Sequence, residues 1–311
     1  MTSRLDLFKL LPSEAGDLVT LAAGDWSLVF APDCGARIVS LTFRGHNVLR
    51  PASAEGLDKG LVYGFGGFPL VPYSGPIFGD GFHHRKSFHA LSRNVREEPT
   101  ATHGEGWIRP WQVVERSAQS CALAFTHHVE EGSFPFRYEA RLLYSLSDDG
   151  LTVDLSVTNM DHRIMPAGIG FHPYFEKHRG STLRFDSSAV WPPDAPENLL
   201  KGMMPHEDGL DFSEAADISG LVFDRLFDGW DGVMTLQHPG GLTITMKADA
   251  GFPKLQIYDA WDYPYICIEP VSNANDGFNR LAQGVAGHGV SELHPQQSIS
   301  GRFRIEASYK P

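Results

Sequence analysis

Short runs of alternating apolar and polar residues dominate this chain. The clearest is Leu151-Thr-Val-Asp-Leu-Ser-Val-Thr158, with an apolar residue at every odd number; Ala36-Arg-Ile-Val-Ser-Leu-Thr-Phe43 is a second. Successive side chains on a strand point to opposite faces, so a period of two predicts strands with one face buried. The same reading predicts strands over 26–30, 111–115, 121–129, 137–146, 233–237, 242–248, 254–258, 265–269 and 302–309. Helical periodicity is nearly absent; residues 276–283 could form about two turns. The 32 glycines and 21 prolines are spread along the whole chain, marking many turns and no interdomain linker. Many short strands separated by turns mean an all-β fold, an antiparallel sandwich or barrel. No repeat period of a propeller or solenoid is visible. Residues 192–232, rich in Pro, Asp and Gly, read as long loops of the kind that carry binding groups on β-sandwiches.

Composition adds bounds. With 311 residues, 42% of them hydrophobic and 21% charged, the chain can bury a large core. That length would allow two domains, but all-β folds of this size commonly form one, and a single domain over 1–311 is expected. No apolar stretch approaches membrane-spanning length, and Met1-Thr-Ser-Arg-Leu-Asp-Leu-Phe8 lacks the apolar run of a secretory signal. Cys34, Cys121 and Cys267 are scattered, odd in number and without metal-ligand spacing, which fits a reducing cytoplasm. The formal net charge of −12 argues against nucleic acid, whose phosphates demand a basic face. A small molecule is then the expected partner, and exposed sheet edges would support a homodimer.

Several tempting motifs fail on context. Gly64-Phe-Gly-Gly67 and Gly284-Val-Ala-Gly-His-Gly289 look like nucleotide loops, but neither lies between a strand and a long helix, so both read as turns. The adjacent pairs His83-His84 and His127-His128 would point to opposite faces of a strand, and no metal site is expected from them. No Gly-x-Ser-x-Gly nucleophile elbow occurs. What remains are polar groups set among glycines and aromatics. His103 lies in Thr102-His-Gly-Glu-Gly-Trp107, His172 in Met165-Pro-Ala-Gly-Ile-Gly-Phe-His-Pro-Tyr-Phe175, and Asp224 in Val222-Phe-Asp-Arg-Leu-Phe227. Glu269 closes the apolar run Tyr265-Ile-Cys-Ile-Glu-Pro270.

A histidine exchanges protons near neutral pH, and a carboxylate after a buried run loses water and becomes a better base. Plainer readings are a packed core histidine and a strand-end carboxylate capping the loop 271–276. An acid–base pair with aromatic platforms, here Trp107, Trp111, Tyr174 and Trp261, suits a sugar, whose apolar face stacks while charged groups grip its hydroxyls.

Taken in order, these segments resemble the aldose 1-epimerase (galactose mutarotase-like) family across nearly the whole chain. The likeness is carried by Ala31-Pro-Asp-Cys-Gly-Ala-Arg-Ile-Val-Ser-Leu41 and by Phe68-Pro-Leu-Val-Pro-Tyr73 with Gly79-Asp-Gly-Phe82. It continues through His103-Gly104, Gly170-Phe-His-Pro-Tyr-Phe175, Phe223-Asp-Arg-Leu-Phe227 and Ile268-Glu-Pro270 with Asp276-Gly-Phe-Asn279. The resemblance implies one antiparallel β-supersandwich that interconverts α and β sugar anomers without a cofactor. It implies His172 as general acid and Glu269 as general base, with His103 and Asp224 on sugar hydroxyls; from the residue reading, Tyr174 and Trp107 are the expected aromatic contacts. Glu269 would take the C1 hydroxyl proton while His172 protonates the ring oxygen; ring opening, rotation and reversal then give the other anomer.

One departure matters. The family's usual Asn-Arg pair, whose arginine contacts sugar hydroxyls, matches Tyr73-Ser-Gly-Pro-Ile77 here, and a five-donor guanidinium has no substitute among Ser74, Gly75 and Pro76. Arg85, Arg109 and Arg37 are the cations that could serve from elsewhere, for a sugar with an acidic substituent. The alternatives are therefore an epimerase for a phosphorylated or otherwise anionic hexose, and a non-catalytic sugar-binding protein on the same fold.

Overall fold

The computed structural model describes residues 15–207, 209–259 and 263–310. The alternating runs assemble into two large sheets. One holds ten strands, in the order Val19–Ala23, Trp26–Ala31, Arg37–Phe43, Gly67–Leu70, Gly170–Glu176, Tyr265–Val271, Lys254–Asp259, Phe223–Asp228 and Ala189–Val190, with His46–Asn47 paired to Arg37–Phe43. The other holds nine, in the order Gln112–Arg116, Ser120–His127, Tyr138–Ser147, Gly150–Asn159, Ser298–Tyr309, Leu242–Ala248, Val233–Gln237, Thr182–Phe185 and Ala216–Asp217. Strand pairings in both sheets are antiparallel.

The sheets stack as a sandwich, because each presents one apolar face. Phe30 meets Tyr144 with ring centroids 4.9 Å apart, Phe171 meets Phe303 at 5.2 Å, and Phe185 meets Phe227 at 4.9 Å. One buried cluster draws Leu28, Leu41, Phe171 and Ile268 from the first sheet and Leu142, Val153, Ile244 and Phe303 from the second. Period two is realised most strictly at Gly150–Asn159, whose odd residues are buried. Where the rule was unambiguous, the strands formed as expected.

Two expectations need correction. Residues 192–232 are not loop throughout: Phe223–Asp228 is a strand of the ten-stranded sheet, paired with Lys254–Asp259. Its two aspartates masked it, whereas Phe227, fully buried in the core, holds it in place. Gly67 opens the strand Gly67–Leu70 instead of ending a turn. The predicted two-turn helix forms over Gly277–Ala282, and the sequence pattern missed the short helix Ala54–Lys59, capped by the Ser53 hydroxyl accepting from Gly56 N–H.

Prolines shape the middle of the ten-stranded sheet. Gly170–Glu176 and Tyr265–Val271 pair at Gly170–Val271 and again from Tyr174–Cys267 onward, with no pairing between. Pro173 and Pro270 stand in that interval and lack the N–H that a ladder needs. His172 and Glu269 occupy the gap.

Candidate active site

Parity decides which side chains reach the site. In Gly170–Glu176 the odd residues Phe171 and Phe175 enter the interior cluster, leaving His172 and Tyr174 on the opposite face. Register then aligns neighbours on that face: His172 lies across from Phe68, Tyr174 from Cys267, Glu269 from Gln256, and Tyr258 from Asp224. Four strands thus lay their polar residues side by side over the outer face of the sheet. Together with loop residues they line a cavity of about 460 Å³, of ordinary size for a small-molecule site.

His172 and Glu269 face each other at its base. Nε2 of His172 lies 3.2 Å from Oε1 of Glu269, and both side chains are almost wholly buried. Burial holds the His172 pKa well below the usual imidazole value, helped by His103 and by the positive charge of Arg50. Burial likewise raises the Glu269 carboxyl well above the usual carboxylate range, and Asp224 adds to it. Both shifts favour uncharged forms, a neutral imidazole beside a protonated carboxyl. Passing that proton across the contact would leave the total charge of the pair unchanged.

His103 stands on the adjoining wall in a left-handed backbone conformation, φ +60°, held by two bonds to Gly75. His103 N–H donates to the Gly75 carbonyl at 2.9 Å, and Gly75 N–H donates to His103 Nδ1 at 3.0 Å. Because Nδ1 accepts, the proton of the neutral ring sits on Nε2. Burial pushes the pKa of His103 down to about 3, so the ring is neutral at working pH. Asp224 opens into the cavity, yet loss of water there and the nearby Asp194 raise its pKa to about 7. Gln256 Nε2 donates to its Oδ1.

Of the aromatic platforms, Tyr174 lines the cavity and stacks on His172, centroids 4.7 Å apart. Trp107 does not line it. Its indole is fully buried, edge-on to His103 at 5.4 Å and against Phe68 at 4.9 Å, with Nε1 donating to the Gly104 carbonyl. It braces the histidine and offers no face to a ligand. Trp111 is part of the interior core, packed on Phe125, and Trp261 lies outside the described residues. Of the glycines before His172, Gly168 makes room for Asn273: a Cβ on it would lie 2.0 Å from Oδ1 of that residue.

None of the three candidate arginines lines the cavity. Arg37 is fully buried and donates to the Trp107 and Gly60 carbonyls. Arg85 pairs with Glu292, and Arg109 with Glu105 and Glu130. The cation that the sequence reading missed is Arg50, beneath the cavity wall, 4.2 Å from the Tyr174 ring centroid and 4.3 Å from that of Tyr265. Its Nη2 is spent on the Tyr63 and Phe65 carbonyls. The lining instead carries the carboxyls of Glu98, Asp194, Asp224 and Glu269, and among the described residues no lysine or arginine.

Tyr63, Tyr258, Tyr265, Gln256 and Asn275 also line the cavity and were missed. Gln256 had a signal, an amide between Leu255 and Ile257 in an alternating strand; the tyrosines look like ordinary strand residues.

His172, Cys267 and Glu269 place one ligand atom each within 4.8 Å of one another, the described group best able to surround a metal ion. Burial keeps the Cys267 thiol protonated, its pKa well above the usual value. Cys34, Cys121 and Cys267 are all buried and unpaired, and no described helix is long and apolar enough to cross a membrane.

The β-sandwich thus carries a buried histidine–glutamate pair on its outer sheet face, in a pocket lined by carboxyls and tyrosines. The aldose 1-epimerase family model matches residues 17–306, and the chain belongs to that family. It is 31% identical over 271 residues to the uncharacterized Escherichia coli K12 protein YphB, a match covering 83% of this chain and 89% of that one. A crystal structure of a provisionally assigned aldose 1-epimerase from Escherichia coli K12 superposes with a TM-score of 0.83 at 26% identity, covering 94% of this chain and 99% of that one. Galactose 1-epimerase from Lactobacillus acidophilus NCFM shares the fold, with a TM-score of 0.72 at 16% identity over 94% and 95% of the two chains.

Proposed function

We propose that this protein is an aldose 1-epimerase that acts on an uncharged free sugar by acid–base opening and closing of the ring. The observation that carries this reading is the approach of His172 to Glu269 within one cavity, 3.2 Å apart. The C1 hydroxyl loses a proton as the ring oxygen gains one, and both oxygens are bonded to the same carbon. Acid and base must therefore be neighbours, each within hydrogen-bond reach of its oxygen.

Transfer of the shared proton from Glu269 to His172 arms the pair as the family likeness implies. The carboxylate then takes the C1 hydroxyl proton while the imidazolium protonates the ring oxygen. Rotation about C1–C2 and the reverse transfers give the other anomer. Starting from an uncharged pair, the exchange leaves no uncompensated charge in the buried site, where one would be costly. The fixed Nε2–H of His103 supplies a hydroxyl donor, Asp224 an acceptor, and Tyr174 a flat wall.

The electrostatics of the lining favour a neutral substrate over an anionic one. A phosphate or carboxylate would enter among four carboxyls, with no lysine or arginine among the described lining residues to face it. Buried unpaired thiols accord with a reducing compartment, the cytoplasm. The test is anomer exchange followed by polarimetry or NMR over matched neutral sugars, uronic acids and sugar phosphates. At least one neutral aldose should exchange faster with the native protein, and the phosphates should not. Failure of every sugar would favour the binding-protein reading; a preference for phosphates would overturn the charge argument.

A further inference from the structure

Asn275 packs directly against Gly75, in the segment that the resemblance matches to the family's Asn-Arg pair. Gly75 has φ +76°, and a Cβ built on it would lie 1.9 Å from Oδ1 of Asn275. No side chain at residue 75 can coexist with Asn275 in this position, so glycine here makes room for the amide. Asn275 is in turn the centre of a hydrogen-bonded chain. Its Nδ2 donates to Asp194 Oδ2 at 2.6 Å and to Gln256 Oε1 at 3.3 Å, and Gln256 Nε2 donates to Asp224. All four side chains line the cavity.

The chain is anchored. Arg280, 2% exposed, donates through Nε to the Asn275 carbonyl and through Nη1 to the carbonyls of Leu199 and Lys201. Its guanidinium also lies 4.8 Å from the centroid of Trp191. One buried arginine therefore ties the segment bearing Asn275 to the loop that follows Asp194. Arg280 lies behind the cavity wall and holds the main chain of these two segments, not the Asn275 amide or the Asp194 carboxyl themselves.

We propose that Asp194 and Asn275, joined through Gln256 to Asp224, are the residues that set sugar specificity, gripping hydroxyls of an uncharged sugar in place of an arginine. This inference rests on the sugar-epimerase reading above. An arginine presents donors only, whereas the Asp194–Asn275–Gln256–Asp224 edge is rich in acceptors, and free hydroxyls have protons to give. The same edge repels a carboxylate at that position of the ring. Uronic acids should therefore be discriminated against at this edge and not by the catalytic pair.

The experiment measures anomer exchange and, separately, equilibrium binding by ligand-observed NMR, with a preferred neutral aldose and its uronic acid, on native protein, Asp194→Asn and Asn275→Ala. Loss of one hydrogen bond to a charged group corresponds to about a tenfold change in affinity. Asp194→Asn should raise KM and the dissociation constant about tenfold with a smaller change in kcat, and should narrow the gap between the neutral sugar and its uronic acid. Asn275→Ala should raise KM in the same direction. Native affinity and native discrimination in Asp194→Asn, an exposed loop substitution that leaves the core untouched, would overturn the proposal while leaving the epimerase reading intact. Sugar binding that depends on Asp194 without any acceleration by native protein would overturn the epimerase reading and keep this one. A native protein that neither binds nor turns over any sugar overturns both.

Discussion

The two faces of the ten-stranded sheet are built from the same strands and obey opposite rules. Toward the second sheet, Phe171, Phe175, Leu255, Ile257, Ile266 and Ile268 are buried and apolar, and their packing holds the sandwich together. On the other face, one residue away in each strand, stand His172, Tyr174, Gln256, Tyr258, Cys267 and Glu269. Several of these are as buried as the core, yet polar groups such as Nδ1 of His172 are left without a hydrogen-bond partner. Burying such groups costs stability. Stability and chemistry are thus separated by parity, and a single-residue register slip would exchange them.

Substitution can test that division directly. Glu269→Gln and His172→Asn should each lower kcat by about 10²–10⁴-fold, since each removes one positioned proton-transfer group. Glu269→Gln, which keeps the shape of the buried side chain, should leave the melting temperature unchanged, and His172→Asn, which loses the ring packed on Tyr174 and Phe68, should lower it only modestly. A melting temperature that collapses with activity would mean that the outer face is structural after all. Phe171→Ala, one residue from His172, should do the reverse. It should cost about 3–5 kcal/mol in chemical denaturation, the range for emptying a buried aromatic site, while the folded fraction keeps its kcat.

Trp107→Phe lies between the two classes. It removes the Nε1–H bond to the Gly104 carbonyl and part of the brace behind His103, so about 1–3 kcal/mol of stability should be lost. KM should rise severalfold through a looser His103, with kcat nearly unchanged; a large kcat loss would put the indole nearer the chemistry than its burial allows.

The smallest effect expected is a pH dependence of KM. Asp224, with a pKa of about 7, is protonated below that pH and charged above it. A charged carboxylate accepts a hydroxyl proton more strongly than a neutral one. KM should therefore fall by a few-fold as pH rises through 7, and Asp224→Asn should flatten the step. A profile that keeps its step in that variant would assign the titration to another group.

Much of this was legible along the chain. Alternation located many of the strands because one buried face imposes period two; it missed Val19–Ala23, Gly67–Leu70, Gly170–Glu176 and Thr182–Phe185, and it failed at Phe223–Asp228, where Asp224 faces the cavity and Asp228 bonds Trp191 and Lys254. His103, His172, Tyr174, Asp224 and Glu269, drawn from widely separated segments, do meet in one cavity. Trp107 and Trp111 do not join them, since an indole in a motif carries no sign of which way it faces. Asp194 and Asn275 had no local signature, because an Asp in a Pro-rich loop and an Asn after a strand are ordinary turn residues until they touch.

By itself, then, the sequence determined the all-β class, the strands with one buried face and strict alternation, and the residue types able to move a proton. Those depend on local periodicity and on the chemistry of single side chains. Tertiary structure alone decided that Pro173 and Pro270 open the ladder beside His172 and Glu269, and that Arg37 and Arg109 point away from the cavity. It also decided that Asn275 occupies the space over Gly75. Each of these depends on which distant segments become neighbours, and that is set by strand register and packing.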